Sequence, residues 1–310
     1  MYLSPTDVLI SEVGPRDGLQ SIKTVMSTSD KKKWICALHK AGVSEIEVAS
    51  FVPPKLLPQM ADAAEVVRYA KTLTGLTVMA LVPNLKGAKA AIEAGVHKLT
   101  IPVSASAAHS MANVRKTREE MVEEVRQIVQ YRNDWAPLVK VEAGISTAFG
   151  CTLQGLVSED EVIWLAEAVT TAGADESGLS DTTGYANPVQ IKRLFKRLQE
   201  AIGDKAGAAH LHNTRGLGLA NCLAAYEVGV TSFDSSLGGL GGCPYAPGAS
   251  GNVVTEDLVF MFEAMGIKTG INLDLLFQAR EPLRAGVPQE TLYGMVPEAG
   301  VPKGFEAATK

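Results

Sequence analysis

The chain has 310 residues, of which 46% are hydrophobic, and its formal net charge at pH 7 is −5. Charges of both signs are interspersed, so the sequence lacks the basic patch that marks a nucleic-acid-binding protein. It also lacks an apolar run near the ~20 residues of a membrane span, and its first residues do not have the pattern of a signal peptide. Its four cysteines form no CxxC pair, which predicts a cytoplasmic protein with free thiols.

One phrase recurs along the chain: a helix-like segment ends in Ala-Gly or Val-Gly, and a short apolar run follows it. Glycine directly after a helix supplies the left-handed residue that ends it, and the apolar runs have the length of buried strands. The phrase occurs at 41–51, 94–104, 172–181 and 228–238. With the intervening segments, the pattern predicts eight strands: 7–13, 45–50, 77–82, 98–103, 139–146, 175–180, 207–212 and 231–236.

Amphipathic segments separate these strands, and Ser158 and Asn187 stand where two of them would begin as helices, with Pro188 at a first helical position. Strand-helix alternation predicts a parallel sheet, and eight units fit a (β/α)₈ TIM barrel of ~250 residues. An open doubly wound sheet is the alternative, less favoured because no GxGxxG opens the first strand-helix turn. We expect one domain over 1–310, with the barrel over about 5–268 and a C-terminal helical extension and tail over 269–310.

Polar and titratable residues gather where the predicted strands end, and in a TIM barrel that end carries the active site. These residues are Arg16, Asp17, Glu47, Ser146, Asp181, His210 and His212.

His210 and His212 are two residues apart on one strand, so both imidazoles face the same side and can bind one ion. A hydrogen-bonded histidine pair is the simpler alternative. Asp17 is the obvious carboxylate partner on the predicted rim, although Pro-Arg-Asp-Gly is also a good β-turn sequence. Asn252 offers an amide oxygen or, equally, a cap for the helix that follows it. Such a mixed oxygen and imidazole set predicts Mg²⁺ or Mn²⁺ rather than structural zinc.

The stretch GGLGGCPYAPGASGN at 238–252 follows the last predicted strand and is rich in glycine and proline. A disordered surface loop would explain that composition. A thiol in such a loop is exposed to oxidation, which favours a functional thiol over an incidental one. We therefore predict that Cys243 is a proton donor carried on a lid that closes over the barrel mouth.

Taken together, these segments resemble the 3-hydroxy-3-methylglutaryl-CoA lyase family of metal-dependent barrel enzymes. The resemblance spans nearly the whole chain, and the glycine stretch is its most specific part. It rests on EVGPRDGLQ (12–20), EVASFVPPKLLPQMAD (47–62), SDTTG (180–184), HLHNTRGLGLAN (210–221) and GGLGGCPYAPGASGN (238–252).

The resemblance implies a retro-Claisen cleavage of a 3-hydroxyacyl-CoA, such as 3-hydroxy-3-methylglutaryl-CoA, to acetyl-CoA and acetoacetate, a reaction of leucine degradation and ketone-body formation. It implies Mg²⁺ or Mn²⁺ on Asp17, His210, His212 and Asn252, and catalytic roles for Arg16, Glu47, Asp181, His210 and Cys243. Predicted substrate contacts are Arg16, Gln20, Lys23 and Ser146. The expected partner is an acyl-CoA, with neither nucleic acid nor a membrane, and the expected assembly is a homo-oligomer.

Two segments depart from the family pattern. SASAAHSMANVRKT has Ala107 and His109 where the family has an acid and an aromatic residue, and GCTLQG at 150–155 replaces a Gly-Cys-Pro-aromatic-Glu-Gly run. Both lie on the predicted rim, so they indicate either a different acyl group or neutral drift. A Claisen-condensing synthase and a non-catalytic acyl-CoA-binding barrel are the remaining alternatives.

Overall fold

In the computed structural model, which describes residues 6–241 and 251–308, eight parallel strands close into a barrel. Each strand pairs with the next along the chain, and the eighth pairs with the first, Ile10 lying opposite Phe233. The closed barrel is the architecture predicted from the alternation, and the open-sheet alternative is wrong. The strands are β1 (Leu9–Glu12), β2 (Glu45–Ser50), β3 (Thr77–Leu81), β4 (Lys98–Ser104), β5 (Lys140–Ser146), β6 (Ser177–Asp181), β7 (Ala206–Leu211) and β8 (Ser232–Ser235).

Helices follow the strands and form the outer layer of the barrel. In the described residues they are α1 (Thr28–Lys40), α2 (Ala63–Ala70), α3 (Leu85–Ala94), α4 (Ala107–Val114), α5 (Arg118–Trp135), α6 (Glu159–Thr171), α7 (Pro188–Ile202), α8 (Gly218–Tyr226), α9 (Thr255–Ala264), α10 (Leu273–Gln278), α11 (Arg280–Gly286) and α12 (Met295–Ala299). A π-helical turn at Gly14–Gly18 and short 3₁₀ turns at Pro58–Met60, Gly203–Lys205 and Leu237–Gly239 complete the elements.

Local signals explain where several helices begin and end. The Asn187 side chain accepts a hydrogen bond from the Gln190 backbone N–H, and Pro188 occupies the first turn of α7 as predicted. Ser158 precedes α6, but its hydroxyl makes no cap bond. The glycines of the recurring phrase have the predicted left-handed conformation, with φ of 100°, 98°, 107° and 94° at Gly42, Gly95, Gly173 and Gly229 respectively.

The apolar core fills the space between the strands and the helices, where Trp34, Phe195 and Phe262 are fully buried. The amino-terminal half of the barrel interior instead contains charge. Lys98 of β4 binds Glu142 of β5 at 2.8 Å and Glu176, just before β6, at 2.6 Å. Because a buried charge requires partners, this cluster couples neighbouring strands below the active-site end.

The C-terminal extension returns to the barrel mouth. The predicted helical segment from Asn272 to Arg284 is divided into α10 and α11, and α11 packs against α1. Beyond it, the Tyr293 backbone N–H donates to the Gly238 carbonyl at 2.7 Å, and Arg280 donates to the Tyr293 carbonyl at 2.9 Å. The extension therefore supports the start of the glycine-rich stretch. None of the helices in the described ranges is long and apolar enough to cross a membrane.

Candidate active site

A cavity of about 370 Å³ opens at the carboxyl ends of the strands, where the predicted functional residues were expected. Side chains two residues apart on one strand point to the same side, and three strands supply such sets to the cavity wall. They are Glu142, Gly144 and Ser146 on β5, Gly178, Ser180 and Thr182 at the end of β6, and Ala208, His210 and His212 at the end of β7.

The π-helical turn after β1 places Arg16 and Asp17 on this wall. Arg16 donates from Nε to Glu47 Oε2 at 2.5 Å and from Nη1 to Asp17 Oδ1 at 2.6 Å. Glu47 is buried on β2 and also accepts a hydrogen bond from the Thr100 hydroxyl. Two carboxylates therefore fix the guanidinium in one orientation before a substrate is present.

Asp17, His210 and His212 form a group whose ligand atoms all lie within 4.8 Å of one another. The two imidazoles face each other with their Nε2 atoms 3.2 Å apart. Burial raises the pKa of Asp17, but Arg16 and both histidines outweigh it and lower that pKa to about 2. Burial, together with the neighbouring His210, lowers the pKa of His212 to about 4. A carboxylate and a neutral imidazole are the forms that bind metal.

Asn252 contacts this group and does not cap the next helix. α9 begins at Thr255, with Val254 as its N-cap residue. The Asn252 amide donates to Asp17 Oδ2 at 2.7 Å, and its Oδ1 is buried without a hydrogen-bond partner, as is Nδ1 of His212. Buried polar atoms without a partner are costly unless a ligand satisfies them. This set of donors, carboxylate and amide oxygens with imidazole nitrogens, fits Mg²⁺ or Mn²⁺.

His210 is oriented by Asp234, which sequence reasoning missed. The Asp234 carboxylate contacts His210 Nδ1 at 2.9 Å, and the two residues are register partners on β8 and β7. Burial lowers the pKa of His210, but the hydrogen bond and the charge of Asp234 outweigh it and raise that pKa. A carboxylate on one ring nitrogen fixes the orientation of the other, as around many metal sites. The sequence did contain a signal for this contact, because Asp234 is an acidic residue inside the predicted strand 231–236.

Within the glycine-rich stretch, Gly241 and Gly251 meet beside Asp17 and Asn252. A Cβ on Gly251 would lie 1.5 Å from the Gly241 carbonyl oxygen, and one on Gly241 would lie 2.7 Å from the Asn252 amide nitrogen. Gly241 also has a φ of +117°. Glycine is required at these positions, because a Cβ on Gly251 would overlap the Gly241 backbone and a Cβ on Gly241 would crowd the Asn252 amide. Cys243, the predicted lid acid, lies outside the described residues.

Of the remaining predicted residues, two line the cavity and two do not. Gln20 and Ser146 line the cavity. Lys23 is exposed and does not line it. Asp181 is buried, and its two carboxylate oxygens accept the backbone N–H groups of Tyr185 and Ala186. Burial nevertheless raises its pKa to about 6.

Strand alternation explains the position of Asp181: its neighbours Ser180 and Thr182 face the cavity, and Asp181 faces away. The structure therefore does not bring Asp181 or Lys23 to the predicted site. Their predicted roles stay predictions.

Comparisons with known proteins place the chain in one family. The HMGL-like family profile matches residues 7–282. The chain is 42% identical to the hydroxymethylglutaryl-CoA lyase of Bacillus subtilis over 276 residues, which are 89% of this chain and 91% of that protein. It is 40% identical to the (R)-citramalyl-CoA lyase of Chloroflexus aurantiacus over 300 residues, covering 93% and 94% of the two chains.

A solved structure is equally similar. The HMG-CoA lyase of Acinetobacter baumannii in complex with coenzyme A and 3-methylmalate superposes with a TM-score of 0.90 and 42% identity, covering 96% of this chain and 97% of that one. Three findings define the class of this protein as a TIM-barrel carbon–carbon lyase. They are the closed barrel, the carboxylate–imidazole group at its active-site end and the similarity to these lyases. The chain belongs to the HMGL-like family.

Proposed function

We propose that this protein cleaves a carbon–carbon bond in a 3-hydroxyacyl-CoA such as 3-hydroxy-3-methylglutaryl-CoA, releasing acetyl-CoA and a keto acid, here acetoacetate. One observation carries the proposal. Asp17, His210 and His212 converge in the same cavity whose wall holds the fixed guanidinium of Arg16.

The ligand group would hold Mg²⁺ or Mn²⁺ through Asp17, His210, His212 and Asn252. Such a cation makes a bound hydroxyl more acidic, much as it lowers the pKa of bound water. The His210 Nε2 that faces this group cannot bind a cation and accept a proton at once, and its Nδ1 is already held by Asp234. We therefore assign the proton acceptor to a wall carboxylate, Glu47, whose pKa burial raises against the opposing charge of Arg16.

Arg16 would stabilise the negative charge that develops on the thioester oxygen as the bond breaks. A preorganised donor of this kind is worth about 3–4 kcal/mol of transition-state stabilisation. Cys243 would then protonate the carbon of the enolate. Support for that role comes from the two ends of its loop, Gly241 and Gly251, which meet beside Asp17 and Asn252.

A cleavage assay tests the proposal. The purified protein is incubated with 3-hydroxy-3-methylglutaryl-CoA, and acetyl-CoA release is followed after treatment with a chelator and after adding back Mg²⁺ or Mn²⁺. We expect activity to disappear on chelation and to return with either cation. Full activity in the chelated protein would refute the metal-dependent mechanism.

Replacing the Cys243 thiol distinguishes its proposed role as a proton donor from the role of the metal site. Cys243→Ala is expected to lower kcat by 10²-fold or more, within the about 10²–10⁴-fold range of general acid catalysis, and to leave Mn²⁺ affinity unchanged. Cys36→Ala is the matched control, since Cys36 is a half-buried free thiol of α1 away from the cavity. Equal activity in the two variants would exclude Cys243 as the proton donor.

A second candidate function is cleavage of a related 3-hydroxyacyl-CoA with a different acyl group. It is favoured by the similarity to a (R)-citramalyl-CoA lyase and by the two departures from the family pattern at 104–117 and 150–155. A panel of 3-hydroxyacyl-CoA thioesters discriminates the two. The highest kcat/KM on 3-hydroxy-3-methylglutaryl-CoA would eliminate the second candidate.

The proposal includes a homo-oligomeric assembly in a reducing, cytoplasmic compartment. The described cysteines, Cys36, Cys151 and Cys222, are free thiols, which suits such a compartment. Light scattering of the purified protein measures the assembly, and a monomeric mass would remove that part of the proposal.

A further inference from the structure

We propose that the open space beside Gly144, inside the barrel, is a pocket for an uncharged branch of the substrate's acyl group that is larger than methyl. The inference rests on the proposed lyase function and specifies the acyl group of its second candidate. The branch would stand on C3, where 3-hydroxy-3-methylglutaryl-CoA carries its methyl group.

A layer of small residues lies one step deeper in the barrel than Ser146, Ser180 and His210. Each of its members lines the cavity two residues earlier on the same strand, which is about 6.6 Å of strand length. They are Gly144 of β5, Gly178 of β6 and Ala208 of β7. A TIM-barrel interior is usually filled by bulky branched side chains. Here three adjacent strands contribute no more than one methyl group at this level.

The backbone does not explain the glycine at position 144. A Cβ on Gly144 would meet no heavy atom of the described residues within 4 Å, apart from its chain neighbours. Gly144 is also not among the glycines with a positive φ. Gly178 differs, because a Cβ there would lie 2.4 Å from the Ala208 carbonyl oxygen. Glycine inside a strand costs stability and often marks a place where a ligand approaches the chain. The space beside Gly144 is therefore available to a ligand.

This space is continuous with the metal-ligand group and extends deeper than Gly144. Asp17 and His210 line the same cavity, and so does Glu142, which precedes Gly144 by two residues on β5. A branch on C3 can therefore extend toward Glu142 while the C3 hydroxyl stays at the metal-ligand group.

The walls of the cavity favour an uncharged branch. Glu142 is already paired with Lys98 at 2.8 Å, and Glu47 with Arg16 at 2.5 Å. Among the described residues that line the cavity, Arg16 is the only arginine or lysine. An acidic branch would therefore meet like charges without a free cation. An alkyl branch would instead bury its surface against the apolar lining residues of β3 and β4, which are Met79, Leu81, Ile101 and Pro102.

The test compares two thioesters that differ at C3: 3-hydroxy-3-methylglutaryl-CoA and 3-hydroxy-3-propylglutaryl-CoA. Both release acetyl-CoA on cleavage, so one assay measures both. The wild type is expected to have a kcat/KM for the propyl substrate about tenfold higher than for the methyl substrate, because two further methylene groups are buried.

Gly144→Val fills the pocket, and valine is well suited to a strand. We expect it to lower kcat/KM for the propyl substrate by about tenfold or more, mainly through KM. The kcat/KM for the methyl substrate and the Mn²⁺ affinity should change little. Ala90→Val is the control, because Ala90 is exposed on α3 and does not line the cavity; it should behave as the wild type.

If Gly144→Val does not fold, Gly144→Ala tests the pocket with the same readout. A folded variant that keeps the wild-type preference overturns the pocket while leaving the lyase function standing. A wild type that prefers the methyl substrate does the same. A wild type that cleaves neither thioester with Mg²⁺ or Mn²⁺ refutes the lyase function and this inference with it.

Discussion

At the level of single residues, the side chains of Arg16 and His210 are held in the same way. Each presents one functional group to the cavity, and each is oriented by a carboxylate on a neighbouring strand, Glu47 for the guanidinium and Asp234 for the imidazole. Preorganisation of this kind matters because donors that are already in place need not reorganise as charge develops.

Arg16→Lys tests the orientation of the guanidinium rather than its charge. A lysine ammonium is a point charge on a flexible stem and cannot bind two carboxylates as a planar fork does. We expect kcat for thioester cleavage to fall by about 10²–10³-fold with Mn²⁺ affinity retained. Arg193→Lys, on the exposed face of α7, should be fully active. Comparable activity in the two variants would show that charge alone suffices.

Asp234→Asn tests the support of His210. The loss of the carboxylate should leave the imidazole less firmly oriented and less basic, and loss of such partners weakens metal binding by about 10–100-fold. The measurement is Mn²⁺ titration by calorimetry, which does not depend on turnover. Asp204→Asn, at an exposed 3₁₀ turn, is the control. Equal Mn²⁺ affinity in both variants would argue against a role for Asp234 in the site.

At the level of elements, single polar side chains connect strands and helices where backbone pairing ends. Asp175 lies between α6 and β6. It accepts hydrogen bonds from the Val141 N–H of β5 at 2.8 Å and from Arg132 Nη1 of α5 at 2.7 Å. One carboxylate therefore holds three neighbouring elements at the amino-terminal end of the barrel.

This contact predicts a dependence of stability on pH. Burial raises the pKa of Asp175, but the Val141 hydrogen bond and Arg132 outweigh it, so the pKa in the folded protein is below the ordinary 3.8. Stability from a lowered carboxyl pKa is present above 3.8 and is lost as the pH falls through the folded value. Asp175→Asn should lower the free energy of unfolding by about 1 kcal/mol at neutral pH, allowing for solvent screening.

The measurement is urea unfolding of wild type and variant from neutral pH down to about pH 3. The difference between the two proteins should shrink as the solution becomes more acidic. Asp134→Asn, at an exposed position of α5, should show no difference at any pH. If the difference in unfolding free energy grew on acidification instead, the prediction of a lowered Asp175 pKa in the folded protein would be wrong.

At the level of the whole molecule, the C-terminal extension is tied to the active-site end. Arg280 of α11 forms a buried ion pair with Glu256 of α9, and Glu256 also accepts the Gly238 N–H at 3.0 Å. Gly238 begins the glycine-rich stretch, so the C-terminal extension and the start of that stretch share one buried group.

Arg280→Met should destabilise the protein by about 3–5 kcal/mol, because it leaves the buried Glu256 charge without its partner. Adding Glu256→Gln removes that charge and should restore part of the loss. Urea unfolding measures both variants, and Arg284→Met, exposed on the same helix, is the control. If the double variant is no more stable than Arg280→Met alone, the unpaired charge is not the cause of the loss.

The amino-acid sequence by itself determined the number and order of the strands, the ends of several helices and the shared face of His210 and His212. Those features depend on interactions within a few residues: apolar period, helix caps, and the alternation that directs His210 and His212 to one side. Only the tertiary structure decided that Asp234 supports His210, that Asp181 faces away from the cavity, and that His109 meets Ser104 and Ser146. These contacts depend on how β7 and β8 align and on how the barrel closes, because closure brings together residues far apart in sequence that no local pattern relates.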